Sequence, residues 1–248
     1  MSVQRVMKRA VYAGGCGTVV LLVLVLLILA GSSGRRPVAP VQPSVAPSYG
    51  APLVEQVDVL RSTTAIDVVA QIRNPNANAG AAELRVTFTP EEGVPQTVES
   101  YLPPGGVHYV TLLNQPAASF LGDVTVSLAE TTFSPLPRGI DLPQFNTFAR
   151  QRSSDSGGLE TQRGVVGNVS TVDLQHVEVV GLARDATGQL VGVGRTFVGE
   201  LRVGEERDVT LQWPAPAGIT ATATLIATTN IFAEDAIVRV IGDPSLLR

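Results

Sequence analysis

From residue 53 onward the chain alternates apolar and polar side chains with a period of two. Val57-Asp58-Val59, Leu84-Arg85-Val86-Thr87-Phe88 and Val124-Thr125-Val126-Ser127-Leu128 each place apolar groups on one face and polar groups on the other. That is the pattern of half-buried β-strands. Turn signals punctuate the strands at short intervals: Asn74-Pro75-Asn76, Glu92-Gly93, Pro103-Pro104-Gly105-Gly106 and Leu121-Gly122-Asp123. Short strands with such spacing predict an all-β sandwich or barrel.

The pattern runs twice. Leu102, Gly105, Val110, Thr111 and Leu112 recur 99 positions later as Leu201, Gly204, Val209, Thr210 and Leu211. The glycine falls in a turn and Val-Thr-Leu in the strand that follows. Asn74 and Asn168 open comparable strand-loop-strand segments, and Val124 to Phe133 matches Thr222 to Phe232 as a Thr-rich strand ending in phenylalanine. A repeat of this length marks duplicated domains, not a solenoid. The boundaries expected are 53–140 and 144–242. Between them, Ser134 to Gly164 includes the polar run Arg150 to Gly158, which reads as a flexible loop, while Phe145 and Phe148 are expected to pack into the second core.

A different pattern occupies the N-terminus. Val11 to Ala30 carries no charge, and 20 residues of helix span about 30 Å, the thickness of a bilayer core. Arg5, Lys8 and Arg9 precede it and only Arg35 and Arg36 follow. The positive-inside bias therefore predicts a cytoplasmic tail at 1–10, a transmembrane signal anchor at 11–30 and an extracytoplasmic remainder. A cleaved signal peptide is the alternative, with Thr18 to Ala30 as its apolar region and Ala30-Gly31-Ser32 at the cleavage site. Residues 31–52 hold five prolines, at 37, 40, 43, 47 and 52. They read as a linker biased towards polyproline II.

Composition narrows the chemistry. Threonine, valine, glycine and proline are abundant and Lys8 is the only lysine, which suits strands and turns. The net charge is −4, and no basic patch is present to neutralise phosphates, so nucleic acid is not an expected partner. Cys16 is the single cysteine, which rules out an intramolecular disulfide. His108 and His176 are the only histidines. Neither has metal-ligand spacing to another histidine, and both are expected on strand surfaces.

Other motifs carry little. No Gly-x-Ser-x-Gly occurs, and Gly192-Val193-Gly194 with Gly199 lacks the spacing and following helix of a dinucleotide loop. Glu91-Glu92 and Glu205-Glu206 are adjacent pairs, and neighbours in a strand point to opposite faces. Asn168-Val169-Ser170 fits the glycosylation sequon. The reading is therefore non-enzymatic, with no catalytic, cofactor-binding or metal-ligating residue assigned and no cofactor expected.

Gly167-Asn168-Val169-Ser170, Leu174 to Val180, Asp185-Ala186-Thr187-Gly188-Gln189-Leu190-Val191 and Leu201-Arg202-Val203-Gly204-Glu205 together resemble an FxLYD domain. The first half, with Ile72-Arg73-Asn74-Pro75-Asn76, is similar to the same family and to the related late-embryogenesis-abundant type 2 group. In place of the family's aromatic-rich signature this chain has Gly181, Ala183 and Arg184, retaining Asp185 ahead of the turn. The resemblance implies a seven-stranded, immunoglobulin-like sandwich of bacterial or archaeal cell-envelope proteins, with no catalytic residues. The expected function is a membrane-anchored structural or interaction role towards an envelope protein or the wall. The alternative is an extracytoplasmic carrier or sensor of an apolar small molecule.

Overall fold

A computed structural model describes residues 48–63, 65–156, 158–214 and 220–240. The expected cytoplasmic tail, transmembrane helix and most of the linker lie outside the described residues. No helix among the described residues is long and apolar enough to cross a membrane.

The described chain is all-β. Its strands are β1 (Leu53–Arg61), β2 (Ala65–Asn74), β3 (Ala79–Gly93), β4 (Gln96–Leu102), β5 (Gly106–Pro116), β6 (Phe120–Leu128), β7 (Ser134–Pro135), β8 (Phe145–Ser154), β9 (Leu159–Asn168), β10 (Val172–Arg184), β11 (Leu190–Leu201), β12 (Glu206–Pro214), β13 (Thr222–Thr228) and β14 (Ile237–Val240). They pair antiparallel in the sheet orders β1-β2-β5, β4-β3-β6, β12-β9-β8 and β11-β10-β13, with β7 on β3 and β14 on β10.

The same topology therefore occurs twice, β1 to β7 corresponding to β8 to β14. In the first sandwich Ile66, Val68, Ala70 and Ile72 of β2 meet Leu84, Val86 and Phe88 of β3, with Leu102, Val110 and Phe120 around them. In the second, Val166 of β9 and Val209, Leu211 and Trp213 of β12 meet Val177, Val179 and Ala183 of β10. Fully burying such a side chain contributes roughly 1.5–3 kcal/mol, and these alternating positions supply both cores.

Two asparagines explain the matching loops. Asn74 Nδ2 donates to Ala79 O and Pro103 O, both at 2.8 Å, while its Oδ1 accepts the Asn76 N–H at 2.9 Å. Asn168 Nδ2 donates to Val172 O at 2.8 Å and Leu201 O at 2.9 Å, and its Oδ1 accepts the Ser170 N–H at 2.9 Å. Each side chain pins three strand ends together around Gly105 or Gly204, whose φ values of 43° and 75° favour glycine. Asn168→Ala leaves two carbonyls and one N–H without partners in a fully buried site, and is expected to cost about 2–4 kcal/mol. Chemical unfolding followed by Trp213 emission measures it.

The sandwiches also pack on each other. Val69 of β2 meets Val180 and Leu182 of β10 and Leu190 and Val193 of β11, flanked by Leu60, Tyr109, Leu113 and Ile226. The outer face of β1-β2-β5 thus lies on the outer face of β11-β10-β13, giving four stacked layers. Asn230 Nδ2 donates to Ala82 O at 2.9 Å across the seam, and Phe232 fills the space that a Cβ on Gly80 would need. Both faces of β2 and β10 are consequently covered.

Three expectations are corrected. Arg150 to Ser154 is not loop: it continues β8, and Asp155 N–H donates to Leu159 O at 3.0 Å where antiparallel β9 begins. β8 is an edge strand exposed on most of its length, so it carries no alternating apolar signature. Phe145 packs into the second core, but Phe148 is 56% exposed, because residues three apart in a strand face opposite ways. The end of the linker is also fixed in place. Gly50 N–H donates to Asn76 Oδ1 and Asn76 Nδ2 to Gly50 O, each at 2.8 Å, and the Tyr49 ring lies 5.5 Å from that of Phe133.

Candidate functional site

The residue types able to do chemistry converge in one place, where β4 meets both β5 and the second sandwich. His108 is expected on a strand surface and instead is 2% exposed. It shares the inward parity of Val110 and Leu112 on β5. Its Nε2 lies 3.0 Å from Ser100 Oγ, its Nδ1 has no partner among the described residues, and the Tyr101 ring lies 4.6 Å away, tilted by 43°. Burial pushes the imidazole pKa down from 6.5 to about 4.

Tyr101 carries this cluster across the seam. Its hydroxyl donates to Thr228 Oγ1 at 2.6 Å, and the Glu178 carboxylate stands beside it. Burial raises the proton affinity of Glu178, opposed by Arg195, whose guanidinium lies 3.7 Å away. Burial likewise raises the pKa of the Tyr101 phenol, with the Glu178 charge acting in the same direction.

A serine hydroxyl within hydrogen-bond reach of an imidazole is the geometry of a nucleophile and its base. The rest of that arrangement is missing. No carboxylate orients Nδ1, and a base whose pKa has fallen to about 4 is poorly matched to proton abstraction near neutrality. The cluster is better suited to responding to pH than to turning over a substrate. Because the folded state disfavours the imidazolium, the stabilisation is full above the unfolded pKa near 6.5. It is lost as pH falls from there towards 4, by up to about 3 kcal/mol. His108→Gln is expected to flatten that part of the stability profile, measured as urea midpoints against pH.

A second buried network closes one end of the second sandwich. Glu160 is 4% exposed. Its carboxylate takes Arg152 Nε at 3.0 Å on one oxygen, with Trp213 Nε1 at 3.2 Å and Thr220 Oγ1 at 3.1 Å on the other. Arg152 also donates to Thr220 O. Every oxygen of the buried charge is therefore engaged, and the arrangement is a staple between β8, β9 and β12.

The remaining sequence candidates are accounted for by local structure. Asp185 Oδ1 accepts Thr187 N–H at 2.8 Å, Thr187 Oγ1–H at 2.7 Å and Gln189 N–H at 3.0 Å, and Gly188 has φ of 88°. This is a hairpin turn. His176 lies 3.0 Å from Asp235 on the surface. Glu205 accepts from Arg202 N–H and Arg207, while Glu91 faces the Asp123 N–H. At Gly192 the Trp213 indole occupies the space a Cβ would need, and at Gly194 the Gln212 carbonyl oxygen stands closest, with the indole next to it. The sequon asparagine, Asn168, is fully buried with both amide hydrogens donated, so the folded chain offers no acceptor there. Among the described residues no group of three or more His, Cys, Asp and Glu side chains is placed to hold a metal ion. A shallow groove of about 390 Å³ runs between the connector at Leu136 to Gln144 and Val169 to Thr171, outside both cores.

No protein-family model matches the chain, and no curated protein sequence matches it. Sequence reasoning missed the convergence of Ser100, Tyr101, His108 and Glu178. The first three sit on consecutive strands of facing sheets, β4 and β5, joined by the Pro-Pro-Gly-Gly turn, so their proximity was available from that connection, whereas Glu178 arrives from a separate sandwich.

Proposed function

We propose that the chain is a single-pass, membrane-anchored protein whose tandem immunoglobulin-like sandwiches stand outside the cytoplasm in a non-catalytic structural or interaction role. The observation that carries this reading is the use made of the polar side chains. Asn74, Asn168, Asp185 and Glu160 each have their hydrogen-bonding capacity taken up by neighbouring strands and turns, which leaves exposed faces and strand edges as the means of action. The order β1-β2-β5 opposite β4-β3-β6, repeated in the second copy, supports the immunoglobulin-like description. The FxLYD resemblance supports a place in the cell envelope, and the charge-free stretch from Val11 to Ala30 supports the anchor.

The role is tested by crosslinking the full chain in its native cells and identifying what is joined to the sandwiches by mass spectrometry. A defined envelope protein or wall fragment, enriched over a control in which the sandwiches are replaced by an unrelated domain on the same tether, is the expected outcome. Equal recovery from both opposes an interaction role. The alternative, a carrier of an apolar small molecule, needs room between the sheets, where Phe88, Phe120 and Trp213 are fully buried.

A further inference from the structure

His108, Tyr101, Glu178 and Arg195 stand in line from the core of the first sandwich across the seam to the second. We propose that this seam is an acid-released latch, in which protonation of His108 drives Tyr101 off Thr228 and lets the two sandwiches part about the connector at residues 136–144. The argument starts from what a proton would meet. Nε2 is already tied to Ser100 and Nδ1 faces no acceptor, so the imidazolium holds an N–H that nothing satisfies, and a buried unpaired charge is strongly disfavoured. Across the β2 ladder its neighbour is Ile72, which offers no polar atom. Relief therefore lies past the half-buried Ser100 and Tyr101 on β4.

Tyr101 is also the side chain whose hydroxyl reaches the second sandwich. Moving it removes that hydrogen bond and uncovers Glu178 beside it. Of the charged groups on the elements around the imidazole, Glu99 on β4 is exposed. Arg73 on β2 is paired with Glu55, and Glu178 and Arg195 are paired with each other beyond Tyr101. None stands against the ring, and burial alone lowers its proton affinity. Glu178 works the other way, since burial raises its pKa and acid relieves a buried charge there. Its replacement therefore separates the two contributions.

If opening restores the imidazole to its usual affinity, the open population rises roughly 30-fold between about pH 7.5 and about pH 5. The test is a pulsed electron-spin distance measurement on the full chain in detergent, in a Cys16→Ser background with spin labels at Glu92→Cys and Thr210→Cys, both exposed. A single sharp distance at the higher pH and a second, broader population at the lower one is expected, with the far-ultraviolet strand signal unchanged. His108→Gln is expected to abolish the second population, and Glu178→Gln to preserve it. Tyr101→Phe, which keeps the ring and loses the hydroxyl, is expected to show opening at a higher pH than the native chain. A distance indifferent to pH overturns the latch, as does opening that persists in His108→Gln or disappears in Glu178→Gln. Loss of strand signal together with opening overturns it too, because the first sandwich would then be unfolding instead of undocking.

Discussion

Gly192→Val is expected to destabilise the second sandwich by about 4 kcal/mol, and to shift the emission of Trp213, the chain's only tryptophan, to longer wavelength. A Cβ at position 192 would lie 2.4 Å from Trp213 Cδ1 and 2.5 Å from Nε1, distances at which something must move. The indole cannot move freely, because its N–H is donated to Glu160. Displacing it adds the cost of a crowded core, typically 1–3 kcal/mol, to that of a buried carboxylate stripped of a donor, another 1–3 kcal/mol. Gly199, which has nothing within 4 Å of such a Cβ, provides the control. Gly199→Ala is expected to leave the unfolding midpoint and the emission maximum nearly unchanged.

Val69→Asp is expected to split thermal unfolding of the native chain from one calorimetric transition into two. Val69 is 2% exposed at the centre of the seam, and an unpaired carboxylate there loses its hydration with no cation to replace it. The seam cost is several kcal/mol, enough to let each sandwich unfold independently. The second copy supplies the comparison. By the register of β2 on β5 and of β9 on β12, the positions of Val69, Tyr109 and Leu113 correspond to Arg163, Asp208 and Gln212. Arg163 and Asp208 are exposed, so Arg163→Asp is expected to leave a single transition. The duplicated halves have diverged so that the inner face of the stack is apolar and its counterpart at the far end is polar.

That divergence marks where the sequence was legible and where it was not. Strands with one face in a core announce themselves by alternation: Leu84, Val86 and Phe88 are buried and Arg85 is exposed. The duplication was equally visible, because Asn168 and Gly204 repeat the work of Asn74 and Gly105 in pinning a loop. β10 gave a weaker signal. Its residues from Val177 to Ala183 are buried on both faces, a near-continuous apolar run that periodicity alone cannot interpret. The second half of β8, Arg150 to Ser154, failed for the opposite reason, being polar on both faces at a sheet edge. The burial of His108 followed from parity with Val110 and Leu112, but a histidine between valines and tyrosines reads as readily on the outside. Glu178, which stands beside Tyr101, lies 70 positions from His108 and is brought near only by the seam, which no local pattern encodes.

The account as a whole rests on the sandwiches being held at the outer side of a membrane. Trypsin treatment of intact cells carrying the full chain with an N-terminal epitope tests this directly, because Arg35-Arg36 lies between the apolar stretch and the first strand. The account predicts that the sandwiches are released into the medium while a short tagged fragment stays with the membranes. A tagged chain that remains full-length until the cells are lysed, or one recovered whole in the soluble fraction, would contradict it.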